Sequence, residues 1–136
     1  MAIKLHTVFE WCNDIAEMRR FYTEGIGLEE QHTKDDQEGG YVVYQAGDTQ
    51  IVITRSPQPK PVLQAWTKTQ GFDMGSLIEP AWVIEVDWDS FGKVVGRLES
   101  LNAPFHSQRR DDEKLRQVVV RDPMGRTLSV DAYPSA

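Results

Sequence analysis

Residues 3–12 read Ile-Lys-Leu-His-Thr-Val-Phe-Glu-Trp-Cys, rich in β-branched and aromatic side chains, with polar residues recurring at His6 and Glu10. The pattern predicts a strand. Asp14 followed by Glu17 forms an acidic variant of the capping box, and Ile15, Met18, Tyr22 and Ile26 then share one helical face. A helix is therefore expected from about Ile15 to Glu24, with Gly25 and Gly27 as its stop. Three more strands are predicted at Leu28–Lys34, Tyr41–Ala46 and Thr49–Arg55, separated by the turn-prone runs 35–40 and Gly47-Asp48.

From Ser56 to Pro80 four prolines punctuate a segment that still contains Trp66, Phe72 and Met74, which predicts an ordered connector whose aromatics serve as pocket wall, dimer interface or plain packing. The second half then repeats the first. A spacing of 75 residues pairs Val8 with Val83, Glu10 with Glu85 and Asp14 with Asp89. Pro80–Val86 reads as a strand, and Phe91, Val94, Val95, Leu98 and Leu101 as the apolar positions of a helix with Asn102 near its stop. Strands are expected again at Pro104–Gln108, Leu115–Arg121 and Thr127–Tyr133, the last two joined by the turn Asp122-Pro123-Met124-Gly125. Each half is too small to close a core alone, so residues 1–136 are expected to form a single domain: a first module 1–55, a connector 56–80 and a second module 81–136.

Composition narrows the function. Fifteen basic against twenty-one acidic residues give a net charge of −6, which disfavours nucleic acid and anionic membrane surfaces as partners. There is no apolar run of the roughly 18 residues that a membrane helix needs, and the start has no long apolar signal core, so a cytoplasmic location is expected. The single cysteine, Cys12, excludes an internal disulfide and a cysteine-rich zinc site.

Three stretches in order resemble the vicinal oxygen chelate superfamily, which includes glyoxalase I, bleomycin-resistance proteins, fosfomycin-resistance enzymes and extradiol dioxygenases. They are Phe9-Glu10-Trp11-Cys12-Asn13-Asp14, the helix end Arg20-Phe21-Tyr22-Thr23-Glu24-Gly25-Ile26-Gly27-Leu28, and the hairpin Val120-Arg121-Asp122-Pro123-Met124-Gly125-Arg126-Thr127-Leu128. The resemblance implies an α+β fold of two βαβββ modules forming a curved, incomplete barrel around a cavity, and a homodimer. It also implies either a divalent ion, held by His and Glu on the first and fourth strands of each module, or a metal-free cavity that binds a ligand without altering it.

Placed on that pattern, the four metal positions are His6 or Thr7, Ile51, Ala81 and Ser129, so a single ligand type is present at most and a divalent metal is disfavoured. No cofactor is expected. His6 is either a ligand contact or a hydrogen-bonded strand histidine, and matching Phe9 and Trp11 to the helix-facing side favours His6 over Thr7 as the inward residue. Glu10 and Glu85, placed alike in their modules, face either solvent or a polar cavity, with Asp131 on a neighbouring strand. Phe21 and Tyr22 read as core, Arg121 and Asp122 as turn and strand-edge structure, His106 as surface and Cys12 as inert.

The expected function is small-molecule binding of the glyoxalase/bleomycin-resistance type, with a polar or cationic ligand against His6, Glu10, Trp66, Phe72, Glu85, Ser129 and Asp131. Two alternatives stay open: a metal-dependent lyase, isomerase or dioxygenase of the same superfamily, and a dimeric protein-interaction module with no small ligand.

Overall fold

A computed structural model describes residues 2–66 and 81–135. It divides into two compact units, Met1–Pro61 and Val62–Ala136, described in turn.

In the first unit β1 (Thr7–Cys12) leads into α1 (Ile15–Arg19), which continues as a π-helical segment, Arg20–Ile26, before β2 (Glu29–Asp36), β3 (Gly39–Ala46) and β4 (Thr49–Arg55). The sheet order is β1-β4-β3-β2, with β1 parallel to β4 and the other pairs antiparallel. The Asp14 carboxylate accepts the Glu17 N–H at 3.2 Å, the cap that the sequence predicts, and Gly27 ends the segment in the left-handed region. The helix buries Ile15, Met18, Phe21, Tyr22 and Ile26 against one face of the sheet, that of Cys12, Val42, Tyr44 and Ile53. A Cβ on Gly40, which shares that face, would meet Ile15 Cγ1 at 2.9 Å.

The widened turn from Arg20 to Ile26 coincides with a polar network beneath it. Thr23 Oγ1 donates to Glu30 Oε2 at 2.8 Å and lies 2.6 Å from the Tyr44 hydroxyl, so with Thr23's one proton committed, Tyr44 is the donor to Thr23. Glu30 also accepts from Thr33 and pairs with Arg19 at 3.0 Å. Burial foremost, with help from the Glu30 charge, pushes the Tyr44 phenol up to about 12.

The second unit repeats the order: β5 (Ala81–Glu85), a 3₁₀ turn at Trp88–Ser90, α2 (Phe91–Ser100), then β6 (Arg110–Asp111), β7 (Arg116–Arg121) and β8 (Thr127–Ala132) in the sheet order β5-β8-β7-β6. Asn102 takes the left-handed conformation just after α2. The expected strand at Pro104–Gln108 is absent. Its place is held by an isolated bridge between Phe105 and Val120 and by two-residue β6. Beyond His106 the ladder breaks because the Gln108 N–H bonds the His106 Nδ1 at 3.0 Å, a local bond that competes with strand pairing. The loop from β6 to β7 turns on Asp112, which accepts the Lys114 and Leu115 N–H groups; Arg110 chiefly holds its carboxyl down at about 2.

The β7–β8 hairpin is built around a buried ion pair. Asp122 Oδ2 receives Arg126 Nη1 at 2.8 Å, while Asp122 Oδ1 accepts the N–H groups of Met124 and Arg126. Leu63 joins this hairpin through its N–H to the Met124 carbonyl at 2.8 Å. No helix among the described residues is long and apolar enough to cross a membrane.

Candidate functional site

Strand register fixes which side chains share a sheet face. In the first module Val8, Glu10 and Cys12 pair with Ile51, Ile53 and Arg55, and these belong to the helix-covered side. Thr7, Phe9 and Trp11 pair with Gln50, Val52 and Thr54 on the side without a helix, where Phe9 is 72% and Trp11 51% exposed. The expectation that Phe9 and Trp11 face the helix is therefore reversed. Small residues under the helix, Cys12 and Val42, make room for the bulky Phe21, Tyr22 and Tyr44 instead.

Two corrections follow. His6, just outside β1, is exposed; its carbonyl accepts the Gln50 N–H, its Nδ1 lies beside Thr7 Oγ1, and by alternation it is Thr7 that belongs to the helix-free side. Glu10 lies on the helix-covered side, opposite Ile53, and is not the symmetric partner of Glu85. A spacing of 75 puts Glu10 and Glu85 on opposite faces, whereas an even spacing such as 74, Thr7 with Ala81, keeps the faces of the two first strands alike.

In the second module Arg116 identifies the helix side, since its guanidinium lies 4.4 Å from the Trp88 ring and donates to the Trp88 carbonyl at the start of α2. Val118, Val120, Leu128 and Val130 share that side as buried core. The opposite face is mostly polar: it takes Glu85 from β5, Thr127, Ser129 and Asp131 from β8, and Gln117 and Arg121 from β7, with Val83 and Val119 flanking Ser129.

Asp131 is the centre of this polar face. It is 5% exposed, and its Oδ1 accepts from Ser129 Oγ at 2.6 Å and from Gln117 Nε2 at 3.1 Å. Glu85 is its direct neighbour on β5. Like charges side by side across two strands cost stability unless a cation relieves them. Where β5 ends, a cleft of about 420 Å³ is lined by Glu85, Asp87, Asp89, Trp88 and Tyr133, among others. No basic side chain pairs with Glu85, Asp87, Asp89 or Asp131 among the described residues.

Of the expected contacts, the structure thus joins Glu85, Ser129 and Asp131 on one face. Trp66 lies in the same unit, its ring 4.2 Å from the Arg121 guanidinium and edge-on to His106 at 5.1 Å. Phe72 and Met74 fall outside the described residues. Sequence reading missed Gln117, Asp87 and Arg121. The signal for Arg121 was the odd-numbered parity it shares with Ser129 and Asp131 once the hairpin between β7 and β8 is counted.

Residues 4–130 match the sequence profile of the Glyoxalase family, described as Glyoxalase/Bleomycin resistance protein/Dioxygenase superfamily, and the chain belongs to that superfamily. Among solved structures it is similar to the fosfomycin resistance protein FosX from Listeria monocytogenes (TM-score 0.68, 13% identity, covering 100% of this chain and 94% of that one). It is similar at the same TM-score of 0.68 to a glyoxylase/bleomycin resistance protein/dioxygenase domain from Frankia sp. EAN1pec (13% identity, 100% and 95% covered) and to the oxidase ChaP-H2 (15% identity, 100% and 98% covered). At these identities the likeness is one of fold. No curated protein matches the chain by sequence.

One FosX structure contains Mn(II). The residues of this chain do not fit the superfamily's His and Glu metal set. On the first and fourth strands of the first module, the helix-free side offers Thr7, Phe9, Trp11, Gln50, Val52 and Thr54, with no imidazole or carboxylate. The second module offers Glu85 and Asp131 without histidine, and no cluster of three metal-ligating side chains occurs among the described residues.

Proposed function

We propose that the chain is a small-molecule-binding protein of the glyoxalase/bleomycin-resistance type, which holds a cationic ligand rich in hydrogen-bond donors at the polar face of its second module, without a metal at the superfamily's usual positions. The observation that carries this reading is the adjacency of Glu85 to Asp131, with Glu85 also lining a cleft beside Asp87 and Asp89, none of the four having a basic partner among the described residues. A protonated amine or guanidine group would relieve that repulsion, while Trp88 and Tyr133 supply aromatic edges for its apolar part. Binding of this kind requires no turnover. The single cysteine suits a cytoplasmic setting.

The working form is a homodimer. Its support is β1, which lies at one edge of its sheet and carries the exposed Phe9 and Trp11 on its helix-free face, apolar surface that a second copy would cover.

A thermal-shift panel of aliphatic diamines, quaternary ammonium salts and guanidines, run with EDTA present, tests the reading. Stabilisation by at least one class that Glu85→Gln reduces is the expected result. Stabilisation by divalent ions alone, or by no organic cation, contradicts it and returns the chain to the metal-dependent or interaction-module alternatives.

A further inference from the structure

The same polar face that carries Glu85 and Asp131 ends in a positive charge. Arg121 is the last residue of β7 and pairs with Thr127, the first of β8, so it shares the face of Val119, Gln117, Ser129 and Asp131. Three arginines of the module are tied to carboxylates: Arg126 is buried against Asp122, Arg110 is paired with Asp112, and Arg116 is paired with Asp111 at 3.3 Å. Arg109, like Arg121, stacks on an aromatic ring, that of Phe105 at 4.6 Å, but it is exposed outside the helix-free face. Arg121 has no acidic partner among the described residues, and its Nε is buried without an acceptor. Its remaining polar atoms, the two terminal amino groups, are the ones that reach solvent.

The plane of the guanidinium is held in place. Its carbon sits 4.2 Å from the centroid of Trp66, whose ring is braced edge-on by His106 at 5.1 Å. The His106 backbone is in turn tied to β7 through its N–H to the Val119 carbonyl, and the Arg121 N–H is fixed to the Pro104 carbonyl at 3.0 Å. A stacked, immobile guanidinium with free terminal N–H groups is already organised for a carboxylate or other oxyanion, because the entropy cost of fixing the side chain is met before the ligand arrives. In a chain of net charge −6 a cation left without a carboxylate on a polar face is a specific feature rather than a solvated default.

We propose that Arg121, stacked on Trp66, is an anion-binding subsite, and that the ligand is amphoteric: its cationic group goes to Glu85 and Asp131, and an oxyanion group goes to Arg121. The cationic half rests on the function proposed above; the anionic half does not. Gln117 and Arg121 are four residues apart on β7, so the two subsites lie about 13 Å apart along the sheet.

Isothermal titration of the full chain with a series of ω-amino carboxylates of increasing length, with the matching alkylamine and alkanoate as single-charge controls, separates the two. The expected result is a chain length at which the ω-amino carboxylate binds about tenfold or more tighter than the amine, with that ratio falling to about one in Arg121→Gln. Arg121→Lys, which keeps the charge and loses the stacked plane, should recover part of the ratio. Zwitterions no tighter than the amine in the wild-type chain would overturn the amphoteric ligand and leave the cation-binding function standing. Alkanoate binding that depends on Arg121 while no amine binds would instead uphold the anion subsite and remove the cationic reading. Absence of binding by all three classes would remove both.

Discussion

The two βαβββ modules share element order and sheet order, yet their helix-free faces have diverged in opposite directions. The first presents Phe9, Trp11, Val52 and neutral polar residues, and its bulky side chains stand exposed. The second presents Glu85, Gln117, Arg121, Thr127, Ser129 and Asp131, and its three β8 polar residues are buried, Asp131 at 5% exposure. Burying a carboxylate is costly unless hydrogen bonds or a counter-charge compensate, and Asp131 has two donors on one oxygen. A duplicated frame therefore leaves one copy free to supply apolar surface and the other free to hold charge, and in the function proposed above the ligand goes to the copy that can shield it.

The hairpins of the two modules diverge in the same sense, and this is where substitution should have its largest effect. Gly125 has φ +77°, and a Cβ there would come within 2.0 Å of the Leu63 carbonyl oxygen, whereas Gly47 has φ +57° with nothing within 4 Å. Gly125→Ala should cost about 3 to 5 kcal/mol, left-handed strain plus a backbone clash, and Gly47→Ala about 1 to 2 kcal/mol, strain alone. Urea unfolding of the two variants measures the difference. Equal costs would mean that the Leu63 segment gives way and that the second hairpin is no more constrained than the first.

A smaller effect separates the modules by pH. The buried hydroxyl chain of the first module, Tyr44 to Thr23 to Glu30, has no counterpart described in the second. Burial holds the Tyr44 phenol at about 12 against an ordinary 10.0, so its contribution is fully present below pH 10 and is lost as pH rises through about 12. Tyr44→Phe should lower stability by about 1 kcal/mol at neutral pH and flatten that alkaline loss. Burial alone would raise the Glu30 carboxyl, but hydrogen bonds from Thr33, Arg19 and Thr23 outweigh it and leave it below its ordinary 4.5. Its contribution is present above that value and lost as pH falls through the lowered one, so Glu30→Gln should shallow the acid limb of a stability-against-pH curve. An unaltered acid limb would show that the network is not coupled to folding.

Much of this architecture is legible in the chain. Strand β4 is found at the predicted Thr49–Arg55, and Asp14, Gly47 and Asp122 signal the cap and the two turns through local chemistry that needs no tertiary context. Strand face is less legible, because both faces of β1 carry apolar residues: Phe9 and Trp11 outweigh Val8 and Cys12 by size, and size pointed to the wrong side. That single inversion puts Thr7 rather than His6 on the helix-free side, puts Glu10 on the helix-covered side, and replaces the odd repeat spacing by an even one. In β8 the alternation is unambiguous, Leu128 and Val130 against Ser129 and Asp131, and the site residues chosen there fall together. For Arg121 the parity across the hairpin gives the face, but not the stacking, because the tryptophan that holds it is 55 residues away in sequence.

Titration calorimetry of an organic cation selected from the amine and guanidine panel, in EDTA, against wild-type, Glu85→Gln and Glu10→Gln chains sets the two modules against each other directly. The helix-free position of Glu85 and the helix-covered position of Glu10 predict metal-independent binding that weakens about tenfold in Glu85→Gln and is unchanged in Glu10→Gln. Equal weakening in both variants, or binding that appears only when a divalent ion is restored, would contradict a cation site built on the second module alone.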